Sequence, residues 1–135
     1  MTTGCDIFHV DDNVGDLELT RLAFEDAAAS VRYRAFSNPT EALALLEARA
    51  ASGGFPPPDL LVLDVNMPIM NGIDVLESLH RSGLTARFAV VMLTTSGRPE
   101  DERRCLELGA RAYMVKPDHY SDLVHLAKRL LTLCE

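Results

Sequence analysis

Five apolar runs of strand length recur along the 135-residue chain, and a stretch of helical periodicity separates each run from the next. The runs are DIFHV (6–10), VRYRAF (31–36), LLVL (60–63), FAVVML (88–93) and RAYMV (111–115). Three of them are apolar nearly throughout, as a parallel sheet requires when helices cover both of its faces. Between them, Leu19, Leu22 and Ala23 keep helical spacing, as do Ala42, Leu45, Leu46 and Ala50, then Gly72, Val75, Leu76 and Leu79, then Cys105, Leu106 and Gly109. The last segment carries the longest stripe, Tyr120, Leu123, Val124, Ala127, Leu130, Leu131 and Cys134, which predicts a helix docked on the sheet. Turn signals at SNPT (37–40), SGGFPPPD (52–59), SGRPED (96–101) and KPD (116–118) divide the elements, and none is long enough to link two domains.

Strands alternating with helices imply right-handed crossovers. The expected fold is α/β: a doubly wound, five-stranded parallel sheet of order 2-1-3-4-5 flanked by five helices, the flavodoxin-like arrangement. A hydrophobic fraction of 47% and a charged fraction of 24% suit one domain over residues 1–135, with no room for a second or for an output domain. The net charge of -7 repels phosphate backbones and argues against nucleic acid as a partner. Cys5, Cys105 and Cys134 are odd in number and far apart, which suggests neither a disulfide framework nor a zinc site and fits a reducing cytoplasm. The first residues, MTTGCDIFHVDDN, have no positive region, and no run of about 18 apolar residues occurs, so neither a leader nor a membrane span is expected.

Open sheets of this order bind ligands beyond the carboxyl ends of the strands. There the sequence sets Asp11 and Asp12 after the first run, Asp64 after the third, Thr94, Thr95 and Ser96 after the fourth and Lys116 after the fifth. Carboxylates converging from adjacent strands repel one another unless a hard divalent cation joins them, and all-oxygen ligands suit magnesium or manganese. A lysine and a hydroxyl opposite would frame a phosphoryl group, so a carboxylate oxygen of Asp64 can attack phosphorus while Lys116 and the metal neutralise the equatorial oxygens.

VDDN (10–13), LLVLDVNMPIMNG (60–72), VVMLTTS (90–96) and LGARAYMVKP (108–117) stand in the order and spacing of one family. On these four motifs the whole chain resembles the receiver domain of two-component response regulators, the family of the chemotaxis regulator. The resemblance implies a bacterial, cytoplasmic phosphoprotein that is not an enzyme with a separate substrate but promotes its own phosphorylation and dephosphorylation. It implies Asp64 as phosphoacceptor; Asp11, Asp12, Asp64 and the backbone carbonyl of Asn66 as magnesium ligands; Thr94 as switch hydroxyl; Lys116 as paired cation; and Tyr113 as switch aromatic. Met67, Pro68 and Gly72 would shape the loop after the acceptor, and Lys116–Pro117 would be the bond that is often cis. The implied partners are a histidine kinase and a downstream target or phosphotransfer protein in a phosphorelay. DNVGDLELTRLAFED (12–26), LTTS (93–96) and LGARAYMVKP further resemble the small regulators beside phytochrome-type histidine kinases. One departure is Thr95, where the family often has Ala or Gly beside the switch threonine.

Plainer readings exist for each residue. Asp12 or Asn13 can cap a helix, Asp64 can end a strand, and Tyr113 can be a packed sheet aromatic. His9 is expected to be a packed histidine bonded to a neighbour. Leu126, Leu130 and Leu133 form a second row on the last helix that either packs deeply or serves a homodimer. Three rival functions remain: an interaction module that works without phosphorylation, an aspartate-nucleophile phosphatase, for which DVNMP lacks the second aspartate, and a flavin protein, for which VDDNVGD has two charges of the wrong sign.

Overall fold

The structure, a computed structural model, describes residues 4–28, 30–52 and 57–134. The start of the chain read for a leader, residues 1–3, and most of the Pro/Gly loop expected over 53–58 lie outside the described residues. The elements follow in the order β1 (Cys5–Val10), α1 (Val14–Ala27), β2 (Val31–Phe36), α2 (Pro39–Ser52), β3 (Leu60–Leu63), α3 (Gly72–Arg81), β4 (Ala89–Thr94), α4 (Pro99–Glu107), β5 (Ala112–Val115) and α5 (Tyr120–Leu131). Short 3₁₀ turns at Leu84–Ala86 and Thr132–Cys134 complete them. All five strands are parallel in the order β2-β1-β3-β4-β5, so the expected fold is the observed one. No helix among the described residues is long and apolar enough to cross a membrane.

Strand periodicity divides the core into two layers. Phe8, Val10, Leu61, Leu63, Val90 and Met92 pack with α2, α3 and α4, whereas Ile7, Leu60, Val62, Ala89, Val91 and Leu93 pack with α1 and α5. Every residue of β3 and β4 is therefore buried, which is why their sequences read as unbroken apolar runs. Each Leu or Val so enclosed contributes on the order of 1.5–3 kcal/mol. The edge strands β2 and β5 are only partly covered.

Some helix faces differ from those expected. In α1 the buried residues are Leu17, Thr20, Ala23 and Phe24, while Leu19 and Leu22 are 49% and 39% exposed. In α4 Cys105 is buried and Leu106 faces out. Tyr120 opens α5 on its exposed side, but the rest of the expected stripe packs on the sheet, with Ala127 and Leu130 buried, and the second row packs there as well: Leu126 is buried and Leu133 lies against the same core. The cysteine expectation is also corrected. Cys5 at the start of β1 and Cys134 after α5 form a disulfide, their Cα atoms 5.8 Å apart, because the sheet's amino edge is where β1 begins and α5 ends. Cys105 stays free and buried.

Gly72 sets the angle at which α3 leaves the β3 edge. Asn71 caps α3 by accepting from Asp74 N at 2.9 Å, and Gly72 N donates to Val65 O at 2.9 Å. A Cβ on Gly72 would lie 2.0 Å from the Asp64 carbonyl oxygen, so only glycine permits this approach. Gly72→Ala is therefore expected to cost about 3 kcal/mol or more in urea unfolding; a loss under about 1 kcal/mol would show that the loop after Asp64 can yield.

Candidate functional site

Backbone hydrogen bonds carry the parallel ladder one residue past the strand ends. Asp11 N donates to Phe36 O and Asp64 N to Val10 O, both at 3.0 Å, and Lys116 N donates to Thr94 O at 2.8 Å. The side chains of residues 11, 64 and 116 thus emerge together at the carboxyl edge of β1, β3 and β5. Asp11, Asp12 and Asp64 each offer a carboxylate oxygen, all within 4.8 Å of one another, with Asp11 and Asp64 buried and Asp12 exposed. This donor set is all oxygen and triply anionic, which fits a hard divalent cation such as magnesium or manganese.

The Lys116 ammonium, half-buried, donates to Asp11 Oδ2 at 2.6 Å and to Asp16 Oδ2 at 2.7 Å and lies 3.5 Å from Asp64 Oδ2. Burial alone would lower its pKa, yet the bonds to Asp11 and Asp16 and the charge of Asp64 hold it well above the ordinary lysine value. Burial pushes the Asp11 carboxyl up to about 6, against the bonds it accepts from Lys116 and Asn13 N, with Asp64 adding to the rise.

On the other side, Thr94 is fully buried at the end of β4, its Oγ1 accepting from Ser96 N at 3.2 Å and approached by Asn66 Nδ2 at 3.5 Å. Asn66 N donates to Asp64 Oδ1 at 3.3 Å. Tyr113 is half-buried, and its hydroxyl donates to Ser96 O at 2.6 Å, which ties it to Thr94 through Ser96 rather than to the carboxylates. The structure thus brings Asp11, Asp12, Asp64 and Lys116 into one cluster, sets Asn66 and Thr94 beside it, and links Tyr113 through Ser96. Lys116–Pro117, which the resemblance left open as a bond that is often cis, is trans, as is every peptide bond among the described residues.

Asp16 is the residue sequence reasoning passed over. Asn13 caps α1 by accepting from Asp16 N at 3.1 Å, which makes Asp16 the third helical residue and resembles a capping box. The reciprocal half of that box is taken elsewhere: Asn13 N donates to Asp11 Oδ1 at 2.9 Å, leaving the Asp16 carboxylate to Lys116. The spacing DDNVGD was the available signal, since the first turn of α1 stands over the same edge as the strand ends.

His9 is the packed histidine expected. Its Nδ1 meets the Tyr33 hydroxyl at 2.5 Å, and that hydroxyl donates to Leu17 O at 2.9 Å. Both bonds form together if Nδ1 carries the proton and Nε2, which has no partner among the described residues, is a bare acceptor.

The family model described as response regulator receiver domain matches residues 7–128. The phosphate regulon transcriptional regulatory protein PhoB of Escherichia coli (strain K12) is 41% identical over 76 residues, covering 56% of this chain and 33% of PhoB. The chain thus matches about a third of the length of the first such relatives. Among solved structures, the phosphorylated cyanobacterial phytochrome response regulator RcpA superposes with TM-score 0.82 at 28% identity, covering 94% of this chain and 91% of RcpA. A response regulator receiver domain from Rhodospirillum rubrum gives 0.79 at 32%, with 92% and 89% covered.

Burial holds His9 down to about 3, with the Lys116 charge adding to the effect. The unfolded chain therefore binds one more proton at His9 between about 3 and 6.5, so this residue's share of stability is lost as pH falls below 6.5. The Asp11 carboxyl, raised in the fold, acts with the opposite sign up to about 6, so the two are separated by comparing variants. From pH 6.5 down to about 5, the wild type should lose about 1 kcal/mol per pH unit more than His9→Phe in urea unfolding, the slope steepening towards about 1.4 at the acid end. Parallel curves for the two proteins would mean that His9 is protonated in the fold.

Proposed function

The chain belongs to the response regulator receiver family, and from that premise we propose that it is a signalling domain in which a histidine kinase passes its phosphoryl group to Asp64. The observation that supports this most directly is the buried Asp64 carboxylate with the Lys116 ammonium 3.5 Å away and Asp11 and Asp12 beside it. An Asp64 oxygen attacks phosphorus, the bond from phosphorus to the kinase imidazole breaks, and the departing nitrogen keeps the electron pair. Asp11, Asp12, Asp64 and the Asn66 carbonyl would hold magnesium, or manganese in its place, and the bound cation would supply charge neutralisation. Lys116 adds positive charge opposite, and burial of Asp64 keeps water from competing freely.

The new phosphoryl charge then biases a two-state element. Thr94 Oγ1 leaves the Ser96 amide for a phosphoryl oxygen, and Ser96, which also accepts from Tyr113, transmits the change to β5. Output is by protein contact, to a downstream target or a phosphotransfer protein in a cytoplasmic phosphorelay, with homodimerisation as a further mode. Likeness to RcpA, a cyanobacterial phytochrome response regulator, supports a phytochrome-type kinase as partner.

Incubation with magnesium and a small acyl phosphate should add one phosphoryl group to the wild type, seen as a mass increase, and none to Asp64→Asn. Magnesium binding without an adduct on either protein would instead favour a receiver fold used as a phosphorylation-independent interaction module.

A further inference from the structure

We infer that Asp16 is a positioning residue that holds the Lys116 ammonium off Asp64, and this rests on the reading of Asp64 as phosphoacceptor. The ammonium has three N–H groups and faces three carboxylates. Two short bonds go to Asp11 and Asp16, and Asp64 is left at 3.5 Å. Asp11 belongs to the group of carboxylates close enough to share a cation, whereas Asp16 does not. A cation and the ammonium therefore compete for Asp11 and not for Asp16.

Once a cation draws on Asp11, Asp16 is the anion that keeps the lysine in place. Freed from Asp16, the ammonium would settle on Asp11 and Asp64, where it rivals the cation and covers the oxygen that must attack phosphorus. Asp16 is well placed for this task because Asn13 fixes its backbone at the start of α1.

The test compares Asp16→Asn, Asp16→Glu and Lys116→Ala, with the double variant, by manganese affinity from electron paramagnetic resonance and by the rate of Asp64 phosphorylation from a small acyl phosphate. Asp16→Asn should weaken manganese binding and slow phosphorylation, each roughly three- to tenfold, as loss of one partly exposed charged bond implies. Asp16→Glu should restore most of both. In the Lys116→Ala background, Asp16→Asn should leave manganese affinity unchanged, because the effect passes through the lysine. Wild-type behaviour of Asp16→Asn in both assays would overturn the inference, as would an equal fall in affinity with and without Lys116, which would mark plain loss of negative charge. If the wild type takes no phosphoryl group while the manganese cycle behaves as stated, the phosphoacceptor reading fails and the coupling of Asp16 to Lys116 stands.

Discussion

The ammonium of Lys116 is what allows the rest of this edge to exist. Asp11 and Asp64 are buried side by side, and two like charges about 4 Å apart repel by about 4 kcal/mol at the effective dielectric of a protein surface. A cation set among Asp11, Asp16 and Asp64 offsets that repulsion. Such a buried pair adds little net stability, because both partners lose hydration, and an apolar cluster of the same size would hold the fold as well. The arrangement therefore makes sense for its chemistry. Bringing residues 11 and 116 to one point across 105 positions of sequence is what the parallel sheet accomplishes.

Much of this was legible in the sequence because parallel sheets confess themselves in apolar runs. LLVL (60–63) coincides with β3, and Asp64 follows it as the first residue that cannot be buried without a partner. The same logic fixed Asp11 and Lys116. It failed where two helical registers fit equally well: in α1 the buried face includes the polar Thr20, so the more apolar series through Leu19 and Leu22 looked like the core. Asp16 was hidden for a related reason, since an acid in the first turn of a helix is ordinarily explained by capping alone. Cys5 and Cys134 stand 129 positions apart, and their meeting follows from which edge of the sheet each element ends on, which no local pattern carries.

The sheet is also unevenly held, and the unevenness falls where a switch would need it. Thr94 ends a strand that is buried throughout, whereas Tyr113 lies in β5, an edge strand with no fully buried residue. Ser96 joins them, its N–H on the Thr94 hydroxyl and its carbonyl on the Tyr113 hydroxyl. A charge arriving beside Thr94 meets a wall that cannot give at β4, because a packed interior resists small displacements. In the proposed cycle the displacement is therefore passed outward through Ser96 to the strand whose packing is looser, and the surface that changes is the one a partner can reach. Rigidity on the inner strand and slack on the outer one are both consequences of strand order, so the sheet that gathers the charges also determines the direction in which their effect travels.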